Sequence, residues 1–270
     1  MGARGAGMSL PRRSDLAHHW SLDPETVFLN HGSFGATPIG VLEEQGRIRS
    51  SLESDPVRFF EREYSDSWDE SRASVARMLN ADVDGLTFVS NATQGVNTVL
   101  RSLDLKPGDE IIVPDHSYQA CWNAVDYVTQ RSGAKTIVVE IPFRLDGPEQ
   151  VIDLIMGAVT ESTVLALIDT VTSPTGTRMP FEELTQRLQA RGVDVLLDAA
   201  HGPGIVPIDL GRLAPAYCAG NCHKWVCSPK GSAFLHIRED RKDLIHPLNI
   251  SHGFSFEGTA QEKFEFEFAW

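Results

Sequence analysis

Basic residues are in short supply. The 270-residue chain has 24 lysines and arginines against 37 aspartates and glutamates, a formal net charge of −13 at pH 7. Contacts to a phosphate backbone need clustered cations, so no nucleic-acid partner is expected, although a local site could still hold a small phosphorylated ligand. Long apolar runs are also missing. Nothing approaches the ~20 residues that span a bilayer, so no membrane partner is expected. Cysteine is sparse, at four residues (Cys121, Cys218, Cys222 and Cys227), which points to free thiols rather than a disulfide framework. The C-x3-C and C-x4-C spacings around His223 differ from paired zinc knuckles, so no metal is expected. "SDLAHHW", not an apolar segment, follows Arg12-Arg13, and Ala6 stands where N-myristoylation needs Ser or Thr. A cytoplasmic location is the expectation.

What is present is a normal core-forming composition, with 41% apolar and 23% charged residues. "IGVLEEQGRIRSSLES" and "SDSWDESRASVARMLNA" read as helices, the second with Trp68, Val75, Met78 and Leu79 inward. A rhythm then sets in. "GLTFVS", "DEIIVP", "KTIVVEIP", "TVLALIDTV" and "VDVLLDAA" read as strands, and the first four are each followed by a helical stretch. Short β-branched runs alternating with helices predict an α/β fold, with a mostly parallel central sheet and helices on both faces. The final "KFEFEFAW" alternates Phe264, Phe266 and Phe268 with glutamates, which predicts a half-buried strand ending at Trp270.

Open α/β sheets bind ligands at the carboxyl ends of their strands. The polar residues there are Asn91-Ala92-Thr93, Asp115-His116, Asp169 through Gly176, and Asp198 with His201. Thr93 opens a helix, where backbone N–H groups and a hydroxyl suit an anion as well as a simple cap. Asp198 closes an apolar strand, so its carboxylate needs a partner. Lys224, in "AGNCHKW", sits in small apolar surroundings with no evident counter-ion. One use for such a lysine is an imine with a carbonyl cofactor, since desolvation frees the amine. Pyridoxal 5'-phosphate (PLP) needs that lysine, a carboxylate for its ring nitrogen and donors for its phosphate. No glycine-rich dinucleotide loop competes.

The stretches "FLNHGSFGATP", "NATQGVNTVL", "VPDHSYQA", "TSPTG", "LLDAAHGPG" and "GNCHKW" occur in an order that resembles the class V aminotransferase superfamily of fold-type I PLP enzymes. Within it the chain is most similar to isopenicillin N epimerase-like proteins, from about Val27 to Trp270. The resemblance implies a PLP-binding large domain over residues 26–260, an extension over 1–25, and the start of a C-terminal segment over 261–270. It implies Lys224 as the Schiff-base lysine, Asp198 on the pyridine nitrogen and His116 over the ring. Ala92, Thr93, Asn221 and His223 would hold the phosphate, while His201 with Thr172 or Ser173 would lie near the ring hydroxyl. Asn30, His31 and Gly32 would line the substrate side. The partners implied are a small amino-acid-type substrate and a second copy in a homodimer, with epimerase or C–S lyase chemistry. Family members continue into a small C-terminal domain that carries an arginine for the substrate carboxylate, so the expectation is a fragment or shortened paralogue, with Arg58 or Arg178 as substitute cations. The alternative is a catalytically inactive chain that keeps the fold as a binding or dimerisation module.

Overall fold

A computed structural model describes residues 12–269. Residues 1–11 of the expected extension, Ala6 included, and Trp270 lie outside the described residues. The centre is a seven-stranded sheet, β1 (Leu86–Val89), β2 (Glu110–Pro114), β3 (Lys135–Val139), β4 (Thr163–Asp169), β5 (Asp194–Ala199), β6 (Tyr217–Asn221) and β7 (Ala233–Ile237). Its order is β1-β7-β6-β5-β4-β2-β3. The block from β3 to β6 is parallel, while β7 runs antiparallel between β6 and β1. The mostly parallel sheet expected from the sequence is therefore present, extended by two strands that the alternation did not announce.

Nine α-helices lie among the described residues: α1 (Ile39–Ser54), α2 (Pro56–Arg58), α3 (Tyr64–Leu79), α4 (Ala92–Ser102), α5 (Gln119–Ser132), α6 (Pro148–Gly157), α7 (Phe181–Ala190), α8 (Leu210–Leu213) and α9 (Ala260–Ala269). Strand side chains alternate between two cores. On β4, Ala166 and Ile168 join Leu79 of α3, Ile152 of α6 and Leu184 of α7 on one face. Leu165 and Leu167 join Val96 of α4 and Val125 of α5 on the other. Helices thus cover both faces, which is what a parallel sheet built from βαβ units requires. On α3, Leu79 is buried as expected, whereas Met78 is 43% exposed. No helix of the described residues is long and apolar enough to cross a membrane.

The strand expected over "KFEFEFAW" is instead part of α9. Thr259 and Glu262 cap its start reciprocally: the Thr259 N–H donates to the Glu262 carboxylate at 2.8 Å, and the Glu262 N–H to the Thr259 hydroxyl at 3.3 Å. Phe264 and Phe268, four residues apart, pack with ring centroids 5.0 Å apart and tilted by 49°, with Phe264 in the core. The intervening Glu267 is buried against His246 at 3.1 Å. Arg72 of α3 clamps the helix, donating to the carbonyls of Leu86 and Val83 and to Glu265.

Candidate functional site

Because β4, β5 and β6 run parallel and in register, their carboxyl ends reach one edge together. Asp169 faces Asp198, and Asp198 faces Ala219. Beyond β6, the turn carrying His223 and Lys224 folds back over this edge. Two close approaches fix it. A Cβ on Gly35 would lie 2.2 Å from the His223 carbonyl oxygen and 2.3 Å from that of Lys224, so only glycine lets the amino-terminal loop lie on the lysine turn. A Cβ on Gly95 would lie 2.8 Å from the Ala219 Cβ, so glycine also lets α4 settle on β6 and aim its first turn at the same edge. The result is a cavity of about 900 Å³.

Asn30, Gly32, Ala92, Thr93, Ser173, Asp198, His201, Asn221, His223 and Lys224 line this cavity. His31, His116 and Thr172 do not. His31 accepts the Ala36 N–H, and His116 lies between Thr175 and Asp115. Thr172, 1% exposed, braces its own loop through Thr175 and Thr177. Neither candidate arginine reaches the wall: Arg58 pairs with Glu63, and Arg178 with Glu182 over the Phe181 ring. Asp169 and Lys230, which sequence reasoning did not assign, do line it. Lys230 is exposed, reaches the Thr37 hydroxyl at 3.4 Å and forms no ion pair among the described residues.

The electrostatics divide the carboxyl pair. Both aspartates are 2% exposed, and burial raises both pKa values. Asp169 goes well above the ordinary carboxylate value, pushed further by Asp198 and relieved only in part by the Ser117 hydroxyl. Asp198 has more support for a negative charge. It accepts the Ala200 N–H at 2.9 Å and the Cys121 thiol at 3.2 Å, and Lys224 lowers its pKa further. Two such neighbours do not both ionise in a dry site, and the donors around Asp198 favour it over Asp169 as the anion. Burial lowers Lys224 below the usual amine value, although Asp198 and Cys121 pull it back up. His223 donates its Nδ1–H to the Ser232 carbonyl at 2.8 Å. Asn221 takes the Ala92 N–H at 2.8 Å, while the Thr93 hydroxyl at the start of α4 has no partner among the described residues.

Cys218 and Cys222 are buried, and burial pushes the Cys222 thiol up to about 11. No group of three His, Cys, Asp or Glu residues able to hold a metal ion occurs among the described residues.

Fold and site together define a class of protein, and comparison with known proteins gives it a family. The class-V aminotransferase family model matches residues 48–267, and the chain belongs to that family. It is 33% identical over 233 residues to an isopenicillin N epimerase of Streptomyces clavuligerus, covering 85% of this chain and 58% of that protein. It is 32% identical over 254 residues to a probable chloroplastic L-cysteine desulfhydrase of Arabidopsis thaliana, covering 87% and 53%. The chain thus spans just over half the length of these relatives. A solved C-DES mutant, with glycine covalently linked to its PLP cofactor, superposes with a TM-score of 0.80 at 21% identity, covering 94% of this chain and 72% of that one.

Proposed function

We propose that the chain is the cofactor-binding part of a PLP-dependent enzyme that acts on a small amino acid or amino-acid-like substrate, within the epimerase and C–S lyase group. One observation carries this reading: a half-buried lysine of lowered pKa shares a cavity with the 2%-exposed carboxyl group of Asp198. The donor set fits the cofactor. The free Thr93 hydroxyl, the first turn of α4, His223 and Lys230 suit a phosphate, and Asp198 suits a protonated ring nitrogen.

PLP, when bound, supplies an aldehyde that condenses with an amine and a protonated ring that draws electrons from the substrate's α-carbon. The chain's own residues do the rest. Asp198 holds the ring proton. Asp169, neutral beside it, keeps a second negative charge out of the site. Lys224 Nζ carries a proton to or from the α-carbon. Asn30, Gly32 and Phe34 close one side of the cavity against water. The reading includes a homodimer, supported by Leu29 and Phe34, which are 79% and 75% exposed on the loop beside the mouth. The intact Lys224, Asp198 and Thr93 speak against an inert binding module. The test is to incubate the protein with PLP, reduce it with borohydride and map the peptides. A pyridoxyl group on Lys224 is expected, and one on Lys230 or Lys135 instead would sink the assignment.

A further inference from the structure

Lys224 does not meet the cavity alone. Its Nζ lies 3.0 Å from His201 Nε2, and the other ring nitrogen, His201 Nδ1, accepts the indole N–H of Trp225 at 3.3 Å. An indole nitrogen only donates. Nδ1 must therefore offer its lone pair to Trp225, and a neutral imidazole then keeps its one proton on Nε2. That proton points along the 3.0 Å contact, so Nζ must accept it. An ammonium has no lone pair with which to accept.

We propose that Trp225 is a positioning residue: by donating to Nδ1 it holds His201 in its Nε2–H form, and through His201 it holds Lys224 as a free amine. The imidazolium would put a second proton on Nδ1, against the indole N–H. Burial, then Lys224, push His201 down to about 4, which keeps that form out at neutral pH. Around Lys224, Asp198 and Cys121 favour the ammonium, while burial opposes it and prevails.

The packing that holds the indole is specific. The ring of His31 lies at 6.1 Å, tilted by 31°. A Cβ on Gly32 would lie 3.0 Å from Trp225 Cζ2 and 3.1 Å from His201 Cε1. A Cβ on Gly204 would lie 2.9 Å from the Trp225 carbonyl. A side chain at Gly32 would press on both rings, and one at Gly204 on the Trp225 backbone. The consequence for reactivity rests on the function proposed above, because only an unprotonated amine adds to a carbonyl ligand. The tautomer itself does not depend on that function.

The test starts from protein free of cofactor, labelled with 15N-histidine. Long-range proton–nitrogen spectra at neutral pH give the His201 tautomer, assigned by its loss in His201→Gln. The expected result is a bare Nδ1 and a protonated Nε2. In Trp225→Phe the tautomer should move toward Nδ1–H. Reductive methylation of Lys224 should then slow about fivefold relative to exposed Lys135, the factor that one neutral hydrogen bond represents. A wild-type His201 protonated on Nδ1 overturns the proposal, and so does a Trp225→Phe protein with unchanged tautomer and unchanged Lys224 reactivity. Should the variant fail to fold, the wild-type spectrum still decides. A protein with the expected tautomer that never takes up PLP refutes the cofactor reading and leaves this one standing.

Discussion

Acidification should weaken this fold through His236, near the end of β7. Its backbone pairs with Leu86 of β1 on one side and Cys218 of β6 on the other. The side chain is 5% exposed, and among the described residues its ring nitrogens make no well-formed hydrogen bond, only a weak contact with the Asp82 backbone. Burial lowers its pKa from 6.5 to about 4, with Asp82 pulling it up and Lys242 pushing it down. The unfolded chain therefore takes up a proton below pH 6.5 that the native state refuses until about pH 4, and stability falls as pH falls through that window. At about 1.4 kcal/mol per pH unit, the loss approaches about 3 kcal/mol. His236→Leu removes the titrating ring at the loss of only a weak contact with the Asp82 backbone. Its stability at neutral pH should lie within about 1 kcal/mol of the parent, since one well-packed apolar side chain replaces a ring of similar size. Urea unfolding followed by circular dichroism at a series of pH values gives the comparison. Asp169, Asp198 and His201 titrate in both proteins and cancel in the difference. Parallel stability–pH curves for parent and variant would refute the reasoning.

Three further outcomes follow from the same geometry. Asp198→Asn keeps the shape and loses the charge. The loss of a charge-assisted hydrogen bond of about 1.5–3 kcal/mol should weaken PLP binding by about ten- to a hundredfold in an absorbance titration, and unchanged affinity would mark Asp198 as a structural cap. Gly35→Ala puts a Cβ 2.2 Å from the His223 carbonyl oxygen, so the lysine turn must move. PLP affinity and thermal midpoint should fall together, and normal values for both would show that the loop yields freely. Arg72→Met strips α9 of its clamp and takes a side-chain donor from the Leu86 and Val83 carbonyls, at a cost of about 1–3 kcal/mol. Hydrogen exchange should then speed up over residues 260–269 before the rest of the chain, and uniform exchange would refute the clamp.

Much of this architecture was legible in the sequence. β2, β4 and β5 announced themselves because buried parallel strands need continuous β-branched and aliphatic side chains, and the edge strand β3 did so through its β-branched run alone. β6, "YCAGN", gave no such signal because it is pressed from both faces. The Gly95 backbone of α4 comes against Ala219, and a Cβ on Gly220 would lie 2.5 Å from the Phe234 ring, so only small residues fit. "KFEFEFAW" misled because a two-residue alternation also places Phe264 and Phe268 on one side of a helix, and the Thr259–Glu262 capping pair just upstream was the better signal. At the site, Lys224 and Asp198 were legible as charges stranded in apolar stretches. Asp169 was noted only as the start of a polar strand end, because its importance depends on β4 pairing with β5. Lys230 drew no reading, since only the fold brings it to the cavity wall.

The placement of β7 sets a schedule for synthesis. β1 leaves the ribosome early, yet among the described residues its one neighbour in the sheet is β7, made about 150 residues later. The Thr37 hydroxyl likewise waits for the Ser228 carbonyl across 191 positions. Until β7 emerges, a nascent chain holds β1 as an unpaired edge and has no lysine turn for the amino-terminal loop to lie on. Such long-range closure is slow and exposes strand edges to wrong partners. Ligand capture by this chain would therefore report that translation has passed residue 237, and a ribosome stalled earlier would display a sheet with neither its last strand nor its cavity.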